Sequence, residues 1–572
     1  MREGSGKGHT EVWEKVLYRD RKSWVRAAAF SFAFSFLFML GRRLERYGSI
    51  PISDSSMWER IFLLWIFVTL CTGLFWSLLE TVQEKNAGRA KSTGRSTGRL
   101  RHAGTLADSW DALPQMHRRL LVWGALLLVY LVALLAVRPG FFVYDASDEL
   151  SMFESRAFTT HHPLVHVLLL GGTISLVRKI TGSYNAGIFV YCLLQAAVLS
   201  AAFVQVLSFL KEKGAGRVLR FISFIFYGFF PVCVMFVLCT CKDTLFSAAM
   251  VMAILQLLKL FSDPGDFFAT KKEPARFCFF ISAMLLLRHN AVPAMLLFSL
   301  FLLFFLKGRR KQALLLCAIP FLCWGAVTFS LTAALHAQGG ENQEVLTVPI
   351  QQLARCFVYE GDTFSPADRD AMDALMPEKD WMLYTPKVSD GVKIHFNNEV
   401  FEAHRQQYTD LWIRMGLAHP AVYLNAWFLT SYGFWYPDAV IDCYQGNAVF
   451  TFTYADSSYF GYETEKPGER QSLFPAVDAF FRWISLDPAV QTLPVVHLLF
   501  SPGAMFWFFA FVMVFCIDAG RLVPVRAFLP MFLTWLTTLL GPCSLPRYVV
   551  YLWFAFPLFL LFAFERADGS ED

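Results

Sequence analysis

Residues 119–150 read RLLVWGALLLVYLVALLAVRPGFFVYDASDEL. The run 119–138 is apolar and has the length of a bilayer-crossing helix, about 20 residues at roughly 1.5 Å each. A Pro-Gly break follows, then an acidic segment carrying Asp145, Asp148 and Glu149. An apolar helix that ends in a carboxylate-bearing loop sets the reading of the rest of the chain: spanning helices with their polar groups gathered at the ends.

Working outward, comparable runs recur at 24–41, 60–80, 185–211, 217–238, 242–262, 275–289, 291–307, 312–334, 493–517, 524–542 and 546–565, which makes about twelve spans in all. Composition agrees. Of 572 residues, 55% are hydrophobic, 16% aromatic and 17% charged, whereas a soluble domain carries about a quarter charged residues. The expected fold class is an all-α polytopic membrane protein, and soluble enzymes, disordered hubs and coiled coils are excluded. The net charge of +5 reflects basic loops and offers no face for nucleic acid. Most of the 12 Cys lie in apolar runs, for example Cys71, Cys192, Cys278, Cys317, Cys323 and Cys516. Cys239 and Cys241 lack the second pair that a zinc site needs, so no metal is assigned. Cys356 and Cys443 share the large loop and are free to pair if it lies outside the cell.

Basic residues set the orientation. Lys15, Arg19, Arg21, Lys22 and Arg26 place the N-terminus in the cytoplasm, and it shows no cleavable leader. The linker 81–118, with Lys85, Arg89, Lys91, Arg95, Arg99 and Arg101, belongs to the same side, as do the clusters at 211–217, 271–276 and 309–311. Both termini are then cytoplasmic and the chain is a multi-pass protein of the cell membrane. Arg42, Arg43 and Arg46 dissent and are outvoted. The apolar stretch 275–307 is interrupted by Arg288-His289-Asn290. One helix would bury Arg288 near mid-membrane at a cost of several kcal/mol, so two helices turning at this polar spot are expected.

Four regions follow: an extension 1–118 with two spans; a membrane core 119–334 with a first outer loop 139–184; a small α-rich extracytoplasmic domain 335–492; and the C-terminal spans 493–572. The run 164–177 is short for a span and reads as a surface or re-entrant helix. The Trp- and Tyr-rich run 419–437 reads as an interfacial helix, with Trp427, Trp435 and Tyr436 as anchors. Ser365-Pro-Ala-Asp opens a short capped helix, and 396–418 is helical.

Ionisable residues collect at the outer helix ends: Asp145, Asp148 and Glu149, then His161 and His162, Lys242 and Asp243, Arg288, and Arg547. Each has an ordinary explanation as a loop carboxylate, a helix cap or a head-group anchor. Their common side gives them another. Lys242, Arg288 and Arg547 are suited to hold a phosphate leaving group. Asp145 or Asp148 is suited to take a proton from an acceptor hydroxyl, with His161, His162 and Asp243 as substrate contacts. Asp148 and Glu149 also read as acids favouring a helix N-terminus. His162 and His166 have the i, i+4 spacing of a metal pair but no acidic third ligand nearby.

These residues, in order, resemble the GT-C superfamily of glycosyltransferases that use polyprenyl-phosphate sugars, which includes protein mannosyltransferases and lipid A aminoarabinose transferases. The segment PGFFVYDASDEL resembles their acidic first outer loop, with Asp145 the best match, and His161-His162-Pro163 resembles their histidine-proline helix start. VPIQQLAR (348–355), YTPKVSDGVK (384–393), HPAVYLNAWF and LPRYVVYLWFAFPL resemble more closely a bacterial family allied to that superfamily, over roughly 119–565. The acidic motif is D-x-x-D-E instead of a plain Asp-Glu pair, which leaves the base open between Asp145 and Asp148. The resemblance implies a GT-C-like fold and inverting transfer of a sugar from a polyprenyl-phosphate donor to a cell-envelope acceptor on the outer face. No cofactor follows, and a divalent metal is left open because some members use one. The alternatives are a flippase or transporter of lipid-linked saccharide, which favours repeats and broken helices, a polysaccharide ligase or polymerase of another fold, and a non-enzymatic envelope scaffold.

Overall fold

The computed structural model describes residues 15–16, 19–50, 54–95, 114–441 and 471–565. Cys443, within 442–470, lies outside the described residues. The protein is an all-α membrane protein. Among the described residues, seven helices are long and apolar enough to cross a bilayer: Arg21–Tyr47, Ser55–Gly88, Gln115–Ala136, Leu164–Thr181, Tyr184–Glu212, Lys242–Ser262 and Lys307–Ala334. A bent pair, Arg217–Phe229 with Pro231–Val237, makes an eighth if taken as one span. Pro231 sits at the 52° bend, where its missing N–H and its ring interrupt the helix.

The remaining expected spans are built from shorter apolar pieces. Pro502–Asp518 begins only after two 3-10 turns, and the next run divides at Phe528 into Leu522–Ala527 and Leu529–Thr538. The last divides into a turn at Pro546–Val549 and helices Tyr551–Phe554 and Phe556–Phe564. Pro530, Pro546 and Pro557 stand at these starts. The stretch 275–307 does break at its polar triplet: Lys272–Leu287 ends at Arg288, and Ala291–Phe305 starts after Asn290. Leu164–Thr181 is longer than the expected surface helix. It packs against the first part of Tyr184–Glu212, with His166 reaching Tyr191 and Ile174 beside Gly187.

Association in lipid depends on close packing and internal hydrogen bonds, since apolar faces gain little by leaving a hydrocarbon solvent. Leu63, Phe67 and Leu70 are accordingly left exposed along Ser55–Arg95, whereas Lys242–Ser262 is enclosed nearly all round. Tyr130 donates to Tyr227 O (2.8 Å) and Tyr227 to Phe554 O (2.7 Å), tying three segments through the core. Trp435 and Tyr436 are not an exposed interfacial belt. Both are buried in the main core, and Tyr436 is gripped between Gly41 and Gly503. A Cβ on Gly41 would sit 2.3 Å from its ring, and one on Gly503 2.6 Å from its carbonyl oxygen.

Residues 342–431 form a compact α-rich domain with its own core around Met372 and Trp381. The expected cap at Ser365 is present and takes the form of a capping box with Asp368, and Arg414 holds Asp368 at 2.9 and 3.0 Å. The domain sits on one end of the bundle. Arg355 donates to Gly48 O (2.9 Å), Ser389 N to Pro542 O (3.0 Å), and Val388 bridges Cys543. Lys387 pairs with Glu45 at 3.1 Å. The dissenting arginines lie near this end: Arg43 pairs with Asp54, and both Arg43 and Arg46 cover the Tyr47 ring.

Candidate functional site: a buried charge cluster at one end of the bundle

Two non-helical peptides create the site. After Gln115–Ala136 the chain turns at 137–139 and continues without helix through 140–143, and after Pro231–Val237 it turns at Leu238 and continues without helix to Cys241. Phe141 N donates to Leu238 O and Thr240 N to Phe141 O, each at 3.0 Å. Gln195 Nε2 donates to Val237 O (2.9 Å) and Cys239 O (2.7 Å). The irregular backbone inside the bundle is thereby satisfied, as a low-dielectric interior demands. Each peptide then opens a helix, one at Tyr144 and one at Lys242. The pairing brings Asp145 and Lys242 side by side.

Asp145 Oδ2 accepts from Lys242 Nζ at 2.9 Å and from Arg547 Nη1 at 2.8 Å. Asp145 as a whole is 8% exposed. Burial alone would raise its pKa, but the charges of Arg547 and then Lys242 outweigh it and hold the group well below the ordinary carboxylate range. Lys242 also approaches Glu149 at 3.7 Å and donates to His162 Nδ1 at 3.1 Å. A lysine at a helix N-terminus opposes the dipole, and here two carboxylates of Tyr144–Ser155 offset it. Asp243 pairs with Arg288 at 2.5 Å and lies 3.9 Å from Arg547. Arg288 stands over the rings of Tyr548 and Phe246 at 5.2 and 5.6 Å.

Burial, then the charge of Lys242, pushes the His162 pKa well down, so its imidazole is neutral. With Nδ1 accepting from the lysine ammonium, the proton belongs on Nε2. That atom is buried and has no partner among the described residues, which makes it a donor available to a ligand oxygen.

The structure therefore gathers Asp145, His162, Lys242, Asp243, Arg288 and Arg547 from five segments, as their helix-end positions suggested. It separates others. His161 is exposed, its ring against His162 with centroids 4.5 Å apart. Because the helix begins at Tyr144, Asp145 is the first-turn acid, and Asp148 and Glu149 belong to the second turn. Asp148 is exposed, yet packing around its carboxyl and then the charge of Asp145 push its pKa up to about 6. Glu149 is fully buried against His166, whose other nitrogen bonds Tyr191 OH at 2.9 Å. Sequence reasoning missed this Glu149–His166–Tyr191 chain. The i, i+4 spacing of Asp145 and Glu149, counted from the true helix start, was the available signal. Among the described residues, no group of three or more His, Cys, Asp or Glu is arranged to hold a metal ion.

Residues 153–571 match the family described as "Family of unknown function (DUF6020)", and the chain belongs to that family. No curated protein and no solved structure matches it. The matched segment includes His162, Lys242, Asp243, Arg288 and Arg547, whereas Asp145 and Asp148 lie just before it.

Proposed function

We propose that this DUF6020 member is an integral-membrane glycosyltransferase of GT-C type, moving a sugar from a polyprenyl-phosphate donor to a cell-envelope acceptor. The observation that carries the reading is the Asp145 carboxylate bridged by Lys242 and Arg547 at the end of the bundle beneath the small domain. In this reading that end faces outward and both termini face the cytoplasm.

The three site cations are already matched by Asp145, Glu149 and Asp243. A donor phosphate entering the site competes with Asp145 for Lys242 and Arg547 and takes hydrogen bonds from them. The freed carboxylate loses the partners that keep it acidic, so its pKa rises and it becomes a stronger base when the donor is in place. Asp145 then takes the acceptor's hydroxyl proton, the oxygen attacks the anomeric carbon, and the sugar–phosphate bond breaks with its electron pair leaving on the phosphate. Lys242, Arg288 and Arg547 stabilise that charge, and His162 Nε2 donates to a substrate oxygen. A second reading, favoured by the pKa of about 6 at Asp148, makes Asp148 the base and Asp145 the residue that positions the cations.

The bent helix 217–237 is a feature that transporters also use. Here Gln195 and Phe141 satisfy the backbone at 237–240, past the bend, and that pairing serves to place Lys242.

The test is sugar transfer from a polyprenyl-phosphate pool by purified protein in lipid. Asp145→Asn should lower turnover by about two to four orders of magnitude while Asp148→Asn stays near wild type. The reverse pattern moves the base to Asp148. Normal turnover in both variants removes the acidic helix from the chemistry and with it the glycosyltransferase reading.

A further inference from the structure

At the other end of the bundle lies a cavity of about 760 Å³ between helices Gln115–Ala136, Tyr184–Glu212 and Arg217–Phe229. Gln115–Ala136 starts at this cavity and leads toward Asp145, so the two places are about 30 Å apart along a rise of roughly 1.5 Å per residue. Five cations line the cavity: Arg118, Arg119, Lys211, Arg217 and Arg220. Among the described lining residues the one carboxylate is Glu212, which pairs with Arg119 at 3.2 Å, and Arg119 also donates to Ser208 Oγ at 3.1 Å.

The polarity is graded. The cations sit on the terminal turns of the three helices. Val122, Ala125, Val204 and Phe224 lie further toward their middles. A head group at the basic rim would therefore lead its chains along an apolar wall between helices. A pocket for a soluble phosphate has no use for such a wall, and a protein partner would not reach past the rim. Charge and gradient together match one kind of occupant, an anionic phospholipid of the adjacent leaflet.

We infer that this cavity is a binding site for an anionic diacyl phospholipid, distinct from the Asp145 cluster and independent of the reaction proposed for it. The phosphate sits among Arg118, Arg217 and Arg220, and the acyl chains run between Gln115–Ala136 and Arg217–Phe229. The site gives the bundle a fixed anchor in the leaflet opposite the Asp145 end.

The experiment compares retention of phosphatidylglycerol and phosphatidylcholine by the purified full-length chain, using native mass spectrometry from detergent. Wild type should prefer phosphatidylglycerol at least about tenfold. The triple variant Arg118→Gln/Arg217→Gln/Arg220→Gln should weaken that lipid about 100-fold, and Arg217→Gln alone, at an exposed helix start, about fivefold. Lys272→Gln, exposed and outside the cavity, should change nothing. If the triple variant does not fold, the single variant decides. The inference falls if Arg217→Gln retains phosphatidylglycerol like wild type, or if Lys272→Gln loses as much. It falls equally if glycerol phosphate without acyl chains displaces the lipid at equal concentration, which would make the cavity a soluble-phosphate site.

Discussion

Replacing Asp145 by Asn keeps the side chain's shape and removes the charge that two buried cations share. Removing one partner of a buried ion pair costs about 3–5 kcal/mol, because the remaining charge is left uncompensated out of water. The geometry places Asp145→Asn at the lower end of that range. Lys242 still has Glu149 at 3.7 Å and Arg547 still has Asp243 at 3.9 Å, so neither cation is stranded. We expect a loss of about 3 kcal/mol, or roughly two powers of ten in the folded-to-unfolded ratio. The assay is equilibrium unfolding in mixed micelles, with SDS as denaturant and helical content as signal. A double-variant cycle sharpens it. Asp145→Asn with Arg547→Gln should be less damaging than the sum of the singles by about 1–3 kcal/mol, because the second change removes the charge that the first exposed. A loss below about 0.5 kcal/mol for Asp145→Asn, or strict additivity in the cycle, would refute the claim that these residues act as one electrostatic unit.

Arg288→Ala should cost about 3 kcal/mol in the same assay, since it leaves the buried Asp243 carboxylate to Arg547, at 3.9 Å. Lys259→Ala, whose pair with Glu273 is partly exposed, should cost below about 1 kcal/mol. Gly503→Ala drives a methyl into the Tyr436 backbone and should destabilise by about 1–3 kcal/mol, while Gly88→Ala, with open space around it, should be neutral or slightly stabilising. The raised pKa of Asp148, about 6, makes stability fall as pH rises from about 4 to 6, because the folded state keeps a proton that the unfolded chain releases. His162, with its lowered pKa, contributes the opposite slope in that window, and the low-pKa Asp145 changes stability only below about pH 4. The readout is therefore the difference between wild type and Asp148→Asn, and a difference that does not vary from pH 4 to 6 would contradict the assignment.

Much of the site was legible because membrane helices leave charges few places to be. Arg288 had to end a helix, and it is the C-cap of Lys272–Leu287. The Ser365 cap was legible for a local reason, since a capping box is written within four residues. What escaped was tertiary. Glu149 looks like Asp148 in composition, and only the register set by a helix start at Tyr144 turns one inward and the other out. Trp435 and Tyr436 fit an interfacial composition rule, but such a rule does not know that Gly41 leaves room for the Tyr436 ring and Gly503 for its backbone. The divided C-terminal helices were announced by Pro530, Pro546 and Pro557, whose effect a hydropathy average conceals.

Helix Tyr144–Ser155 straddles the start of the family match at residue 153. A chain trimmed to the matched segment would keep Lys242 and Arg547 and lose both Asp145 and Glu149. It would also lose Phe141, whose backbone pairs with 238–241 and fixes where Lys242 begins its helix. Such a fragment would carry an unbalanced pair of cations beside an unlaced peptide, and its behaviour in any assay would say nothing about the intact chain. The smallest portable unit starts no later than Gln115, and any chimera or swap between relatives should cut upstream of it.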